Sequence, residues 1–279
     1  MEMTVKQPAL LRELEILQGV VERKNTVPIL ANVLLSAGAE GLEVMGTDLE
    51  VSVRSRSQVN VKKEGAVCVS AKKLFEIVRL LPDKEVTIKS DAENWVTIVC
   101  ERSRFRIMGL GQGEFPTLPA AGKTAKTKIP GAVLRRLVER VIFAVTSDDA
   151  RFALNGALLI LKDKSISLVA SDSHRLAYVT ETLETKGSAD EEKVLIPKKA
   201  LSEIARIAGD LDEDVFYSRK DNHLFFEIGF NAKYLLDFLS VSGSDRVLIE
   251  LKDEVTQGIL RPAGEGAKSY TYVVMPMRL

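Results

Sequence analysis

Apolar residues recur three and four apart in five short stretches, each entered through a Pro or an Ala. They are Leu10, Leu11 and Leu14 after Pro8; Leu74, Phe75 and Val78 after Ala71; and Val133, Leu134 and Leu137 after Pro130. Ala200, Leu201 and Ile204 follow Pro197, and Leu235, Leu236 and Leu239 follow Ala232. This spacing gives a helix one buried stripe and one wet face. Proline suits the first helical position, where its missing N–H has no intrahelical partner. Between the helices the pattern switches to a period of two, as in Val51–Ser55, Val86–Ile88, Val96–Val99 and Arg104–Ile107. That alternation predicts half-buried antiparallel strands. A helix followed by several strands, repeated, predicts an α+β fold with helices on one face of antiparallel sheets.

The repeat has two periods. The turn residues Pro8, Ala71, Pro130, Pro197 and Ala232 are separated by 63, 59, 67 and then 35 residues. Leu42-Glu43-Val44-Met45-Gly46-Thr47-Asp48 resembles Ser167-Leu168-Val169-Ala170-Ser171-Asp172, with the two Asp 124 residues apart. The domain repeat is therefore built of two half-repeats, and the chain holds two near-complete units plus a fragment. Arrays of this kind tolerate a missing unit poorly, because neighbours bury one another's faces.

Composition narrows the function. The chain has 279 residues, 46% hydrophobic, with 39 basic and 39 acidic side chains. A net charge of zero is not the footprint of a simple nucleic-acid binder, so any DNA-facing cations must be sorted onto one surface. No apolar run is long enough for a membrane span, and no signal peptide opens the chain, so a cytoplasmic location is expected. Cys68 and Cys100 are too few for a disulfide scaffold.

Candidate chemistry is sparse. Gly122-Lys123-Thr124 lacks the upstream glycine of a phosphate loop, where Thr117 stands. Ser171, Asp172 and His174 contain the residue types of a hydrolytic triad, but groups so close along one strand end do not align as nucleophile, base and orienter. With His174 and His223 as the only imidazoles and no tight carboxylate cluster, neither a metal site nor a cofactor is expected, and no residue is assigned a catalytic role. Basic residues recur on the helices: Lys72, Lys73 and Arg79; Arg135, Arg136 and Arg140; Lys198, Lys199 and Arg206. Recurrence at the same place in successive repeats would line them up for phosphates without reading bases. The apolar end, Tyr272 to Leu279, reads as a strand docked on its own domain or as a wall of a partner groove, for which methionines are adaptable.

Several motifs, in order along nearly the whole chain, resemble the bacterial DNA polymerase III beta subunit, the sliding clamps. They are Thr26-Val27-Pro28-Ile29-Leu30-Ala31-Asn32, Gly46-Thr47-Asp48-Leu49-Glu50, Ser103-Arg104-Phe105, Phe115-Pro116, Leu154-Asn155-Gly156, Ser171 to Ala177, and Val274-Met275-Pro276-Met277-Arg278-Leu279. The resemblance implies repeated clamp (processivity-fold) domains at 1–125, 126–229 and 230–279. It also implies a head-to-tail homodimeric ring around double-stranded DNA, and a tether rather than an active site. It assigns DNA contact to Lys24, Lys72, Phe152 and Lys199, with Asp148 at a further contact position where an acid weakens the hold. A peptide groove for the polymerase III catalytic subunit, the clamp loader and repair polymerases maps to Leu154, Ser171, Ser173, His174, Arg175 and Leu176. Its second wall maps to Val273, Met275, Pro276, Met277, Arg278 and Leu279. The subunit interface maps to Lys73, Arg102, Arg104 and Ile107.

This chain departs from the family pattern after Gly229. The last strand of domain two, a connector and the first half of domain three are absent, and the 35-residue spacing says the same. The expectation is an incomplete groove and a ring that closes poorly. The competing classes are a non-ring peptide-binding module and an enzyme using His174 or Asp172.

Overall fold

The computed structural model describes residues 1–21, 27–120, 124, 126–146, 154–183, 191–211, 214–228, 247–250, 258–262 and 272–274. The chain divides into two compact units, Met1–Ala120 and Ala121–Leu279.

The first unit runs β1 (Glu2–Lys6), α1 (Gln7–Leu17), a 3-10 turn (Pro28–Ala31), β2 (Asn32–Gly38), β3 (Gly41–Thr47) and β4 (Ser52–Ser57). It continues through β5 (Asn60–Lys63), β6 (Gly65–Ser70), α2 (Ala71–Leu80), β7 (Glu85–Ser90), β8 (Trp95–Cys100) and β9 (Ser103–Leu110). Its strands form one nine-stranded sheet in the order β4-β3-β2-β6-β9-β8-β7-β1-β5. Each half-repeat lends its first strand to the other half's strands, β6 to β2 and β1 to β7, which interlocks them. The stripes of both helices (Leu10, Leu14 and Leu17; Leu74 and Val78) meet the inward side chains of Val33, Leu35, Val67, Ile88 and Ile98 in one core. The helices thus cover one face, as the α+β reading expects. Leu34, Cys68 and Phe115 form a smaller cluster, with Leu110 and Leu118 packed against it. The two half-sheets meet where β6 pairs with β9, Cys68 opposite Leu110 and Val69 opposite Gly109. A Cβ on Gly109 would stand 2.6 Å from the Cys68 carbonyl oxygen and 2.8 Å from that of Asn94, so only glycine fits this seam.

The second unit repeats the plan: β10 (Thr127–Pro130), α3 (Gly131–Glu139), a 3-10 turn (Ile142–Ala144), β11 (Gly156–Lys162), β12 (Ser165–Ser171) and β13 (Leu176–Thr182). Then follow β14 (Glu192–Pro197), α4 (Lys198–Leu211), β15 (Asp214–Lys220) and β16 (His223–Ile228). Its core joins Leu134 and Leu137 of α3 and Leu201 of α4 to Leu159, Leu168, Val215 and Tyr217. Here the strands stay in two sheets, β13-β12-β11-β14 and β10-β15-β16. By order, β16 takes the place of β8, and no described strand takes the place of β9. Three further strands, β17 (Val247–Glu250), β18 (Gly258–Pro262) and β19 (Tyr272–Val274), form a sheet of their own. The helix expected after Ala232 lies outside the described residues.

Two sequence expectations need correction. Only Pro8 enters its helix; Pro130 is the residue before α3 and Pro197 ends β14, both with the extended backbone that leads into a helix. The basic residues do not recur at one helical position. Lys72 and Lys199 are each second in their helices, while Arg135 and Arg136 of α3 lie about a turn further along. No described helix is long and apolar enough to cross a membrane, and among the described residues no cluster of His, Cys, Asp and Glu could hold a metal ion.

Candidate functional site

Two features carry the candidate chemistry, the starts of the helices and the turn between β12 and β13. All four described helices lack an acid in their first turn. On α2 this turn holds Lys72 and Lys73, both exposed, and on α4 it holds Lys198 and Lys199. A cation beside the positive end of a helix dipole costs about 0.3–1 kcal/mol at an exposed site, so a lysine pair here is a poor choice for stability alone. The same arrangement attracts an anion. The cations are partly balanced within the fold: Lys72 Nζ lies 3.9 Å from Glu76, Arg135 Nε 2.8 Å from Glu139, and Arg136 and Arg140 at 3.6 and 3.5 Å from Glu181. Lys198 Nζ donates to the Val145 carbonyl at 3.2 Å. Of the four sequence-assigned DNA contacts, Lys72 and Lys199 hold these equivalent places. Lys24 and Phe152 lie outside the described residues, as does Asp148.

The β12–β13 turn is built by its own polar side chains. Asp172 Oδ1 accepts from the backbone N–H of His174 at 3.1 Å and of Arg175 at 3.0 Å, and Oδ2 accepts from Arg175 Nε at 2.9 Å. Ser171 Oγ donates to the Arg175 carbonyl at 3.0 Å and accepts from the Ser173 N–H at 3.3 Å. These bonds, that from His174 foremost, hold the Asp172 carboxyl below its usual range. The first unit has the same device 124 residues earlier. Thr47 Oγ1 donates to Val51, and Asp48 Oδ1 accepts from Glu50 and Val51. Leu49 and Ser173 share the left-handed backbone, at φ +80° and +74°. Ser171 and Asp172 are therefore turn-formers, and no nucleophile-base relay is set up.

What the turn presents is apolar and cationic. The Arg175 guanidinium lies over the Phe143 ring, 5.5 Å from its centroid. Leu176, Tyr178 and Phe143 are 67%, 63% and 56% exposed. Leu154 is half-buried, its carbonyl accepting from the Thr146 N–H at 3.2 Å, on the segment that follows Phe143. Thus Ser171, Ser173, His174, Arg175 and Leu176 share one turn, with Leu154 on a neighbouring segment. Phe143 and Tyr178 were missed in the sequence, Phe143 because it sits in the apolar run Val141–Val145, where nothing marks which residue faces out. Val273 lies in β19, opposite Ile259; Met275, Pro276, Met277, Arg278 and Leu279 lie outside the described residues.

Of the sequence-assigned interface, Arg104 and Ile107 stand along β9 and Arg102 at its entry, while Lys73 is on α2. Beyond its last two residues, β9 has no partner on the β6 side among the described residues.

Comparison with known proteins identifies the scaffold. Sequence profiles of the DNA polymerase III beta subunit match in chain order: the N-terminal domain over residues 1–119, the central domain over 128–235 and the C-terminal domain over 200–278. The chain belongs to the DNA polymerase III beta subunit family. The central and C-terminal matches overlap over 200–235, so the stretch holding α4, β15 and β16 fits both the end of one clamp domain and part of the next. The beta sliding clamp of Pseudomonas putida is 29% identical over 371 aligned positions, spanning all of both chains. Since this chain has 279 residues, that alignment runs across gaps. The beta sliding clamp of Pseudomonas aeruginosa is 34% identical over 225 residues, 80% of this chain but 61% of that protein. Among solved structures, the DNA polymerase III subunit beta of Pseudomonas aeruginosa matches with a TM-score of 0.73 and 26% identity over the whole of both chains. The sliding clamp of Caulobacter crescentus matches at 0.76 and 26%, covering 99% of this chain and 84% of that one. A beta sliding clamp is a non-catalytic processivity factor, in keeping with a Ser171–His174 run whose polar groups serve their own turn.

Proposed function

We propose that this chain works as a sliding-clamp tether of the polymerase III beta type, holding the replicative polymerase to duplex DNA. The observation that carries this reading is the pair of equivalent, acid-free helix starts bearing Lys72 and Lys199, in a chain of the clamp family. Backbone N–H groups and lysines together suit phosphates and read no sequence. The polymerase, the clamp loader and repair polymerases dock as short peptides on the β12–β13 turn, where Arg175, Leu176, Tyr178 and Phe143 offer apolar contact with a cationic rim. The C-terminal half of a third clamp domain, 230–279, completes that groove only in part. The head-to-tail ring interface, with Lys73, Arg102, Arg104 and Ile107 on one side, lacks the opposite half-domain, so the tether closes into a stable two-subunit ring poorly.

Titration of duplex DNA at several salt concentrations tests the first claim. Lys72→Glu and Lys199→Glu should each weaken binding by a similar factor on unrelated sequences and reduce the salt slope by about 1. Unchanged binding in the double variant overturns the assignment. Leu176→Ala with Phe143→Ala should abolish capture of polymerase-derived peptides while DNA binding stays, which separates the groove from the DNA face.

A further inference from the structure

Among the described residues the outer edge of β16 is unpaired, and it carries a self-complementary pattern. Strands at sheet edges are normally guarded by charge or proline. Here β4 carries Arg54 and Arg56, β5 carries Lys62 and Lys63, β10 carries Lys128 and Pro130, and β14 carries Lys193 and Pro197, while the β13 edge carries one acid, Glu181, held by Arg136 and Arg140. β16 reads His223-Leu224-Phe225-Phe226-Glu227-Ile228 and pairs only with β15 among the described residues. Its one acid, Glu227, is matched by Lys126 at 2.6 Å. The corresponding edge in the first unit, that of β8, is covered along its length by β9, with Trp95 opposite Met108 through Cys100 opposite Ser103.

We propose that a second copy of this chain covers that edge, with β16 pairing antiparallel to its own symmetry mate about a two-fold axis through Phe225. An axis perpendicular to the sheet keeps the faces of the two copies matched, so residues of equal parity must oppose one another. Centring on Phe225 sets His223 against Glu227 twice, Leu224 against Phe226 twice, and Phe225 against Phe225. Each of these is favourable: a hydrogen-bonding or charged pair, an aliphatic-aromatic pair and an aromatic pair. Leu224 and Phe226 already pack on the second unit's core, so the apolar layer continues across the join. Centring on Phe226 instead sets Phe225 against Glu227, which wastes both. The join turns two three-stranded sheets into one of six, using a surface different from the β9 edge assigned to the ring.

Sedimentation velocity of the full chain at micromolar concentration, with cysteine cross-linking, tests this. Phe225→Cys should give a disulfide-linked dimer on oxidation, because directly opposed Cβ atoms lie about 4.5–5.5 Å apart. His223→Cys should not, since its symmetry mate is about 13 Å away along the strand, whereas His223→Cys with Glu227→Cys should. The native Cys68 and Cys100 are buried and give no background. Phe225→Lys, with folding checked by circular dichroism, should weaken the dimer roughly tenfold or more, and Arg104→Glu at an exposed position of β9 should leave it intact. A monomeric wild-type chain, or a dimer lost in Arg104→Glu and kept in Phe225→Lys, overturns the proposal. Neither result touches DNA binding by Lys72 and Lys199, so the clamp reading is judged separately.

Discussion

Cys68 and Leu195 hold the same place in the two units, each two residues before the strand-to-helix junction, and meet opposite fates. Cys68 is 0% exposed, packed with Leu34 and Phe115, while Leu195 is 40% exposed. The intervening cause is β9 and the segment after it. In the first unit β9 runs alongside β8, touches β6 at Gly109, and delivers Leu110, Phe115 and Leu118 onto Cys68. Desolvation there, helped by the nearby Glu114 carboxylate, pushes the Cys68 thiol up to about 11. In the second unit no described strand does this. The half-sheets are instead bridged by Tyr217, whose hydroxyl donates to Glu192 at 2.7 Å across from β15 to β14, with its ring 5.3 Å from Phe226. A continuous backbone ladder in one unit is replaced in the other by a side-chain clasp on Glu192, made by Tyr217 and, at 3.9 Å, by Arg219. Without a described counterpart of β9, Leu195 stays exposed and two backbone edges are unpaired among the described residues, while the helix-covered core stays closed.

The largest effects should fall on what the units share. Leu74→Ala and Leu201→Ala, each at a site no more than 1% exposed, should both lose about 2–5 kcal/mol in chemical denaturation. A much smaller loss at Leu201 would mean that water reaches the second core through the open sheet. Next comes the seam. Gly109→Ala forces a Cβ against two backbone carbonyls and should destabilise by about 1–3 kcal/mol. It should also speed alkylation of Cys68, making the first unit behave like the second. Tyr217→Phe removes only the hydroxyl's part of the clasp, for a net loss of about 0.5–1.5 kcal/mol, and the equivalent change has no counterpart to remove at Ile88. The smallest effect is at Glu13 of α1, whose carboxyl burial raises in pKa against the lowering hydrogen bond from Ser55. A raised carboxyl favours the folded state while protonated and opposes it once ionised. Stability should therefore fall as pH rises through the Glu13 titration, and Glu13→Gln should raise the melting temperature at neutral pH but not at acid pH.

Much of this was legible in the sequence because each half-repeat writes its own pattern. The 3-and-4 spacing located α1 to α4, and the alternating runs located β4, β7, β8 and β9. The Thr47-Asp48 and Ser171-Asp172 echo proved to be one turn with the same side-chain-to-backbone hydrogen bonds in both units, to which the second adds the Arg175–Asp172 pair. Other features depend on tertiary partners that periodicity does not encode. Phe143 and Leu195 sit in apolar runs that look like core, and only the packing shows which residue is left out. The Tyr217–Glu192 clasp joins strands separated by α4, and the helical offset between Lys72 and Arg135 follows from where each helix begins.

On the proposed reading, this clamp-family chain holds duplex DNA by helix-borne cations without a closed two-subunit ring. Retention on nicked circular against linear duplex, after a high-salt wash, tests it most directly. Equal and nearly complete loss from both is expected. Retention on the circle together with loss from the linear molecule would contradict it and show a ring that closes.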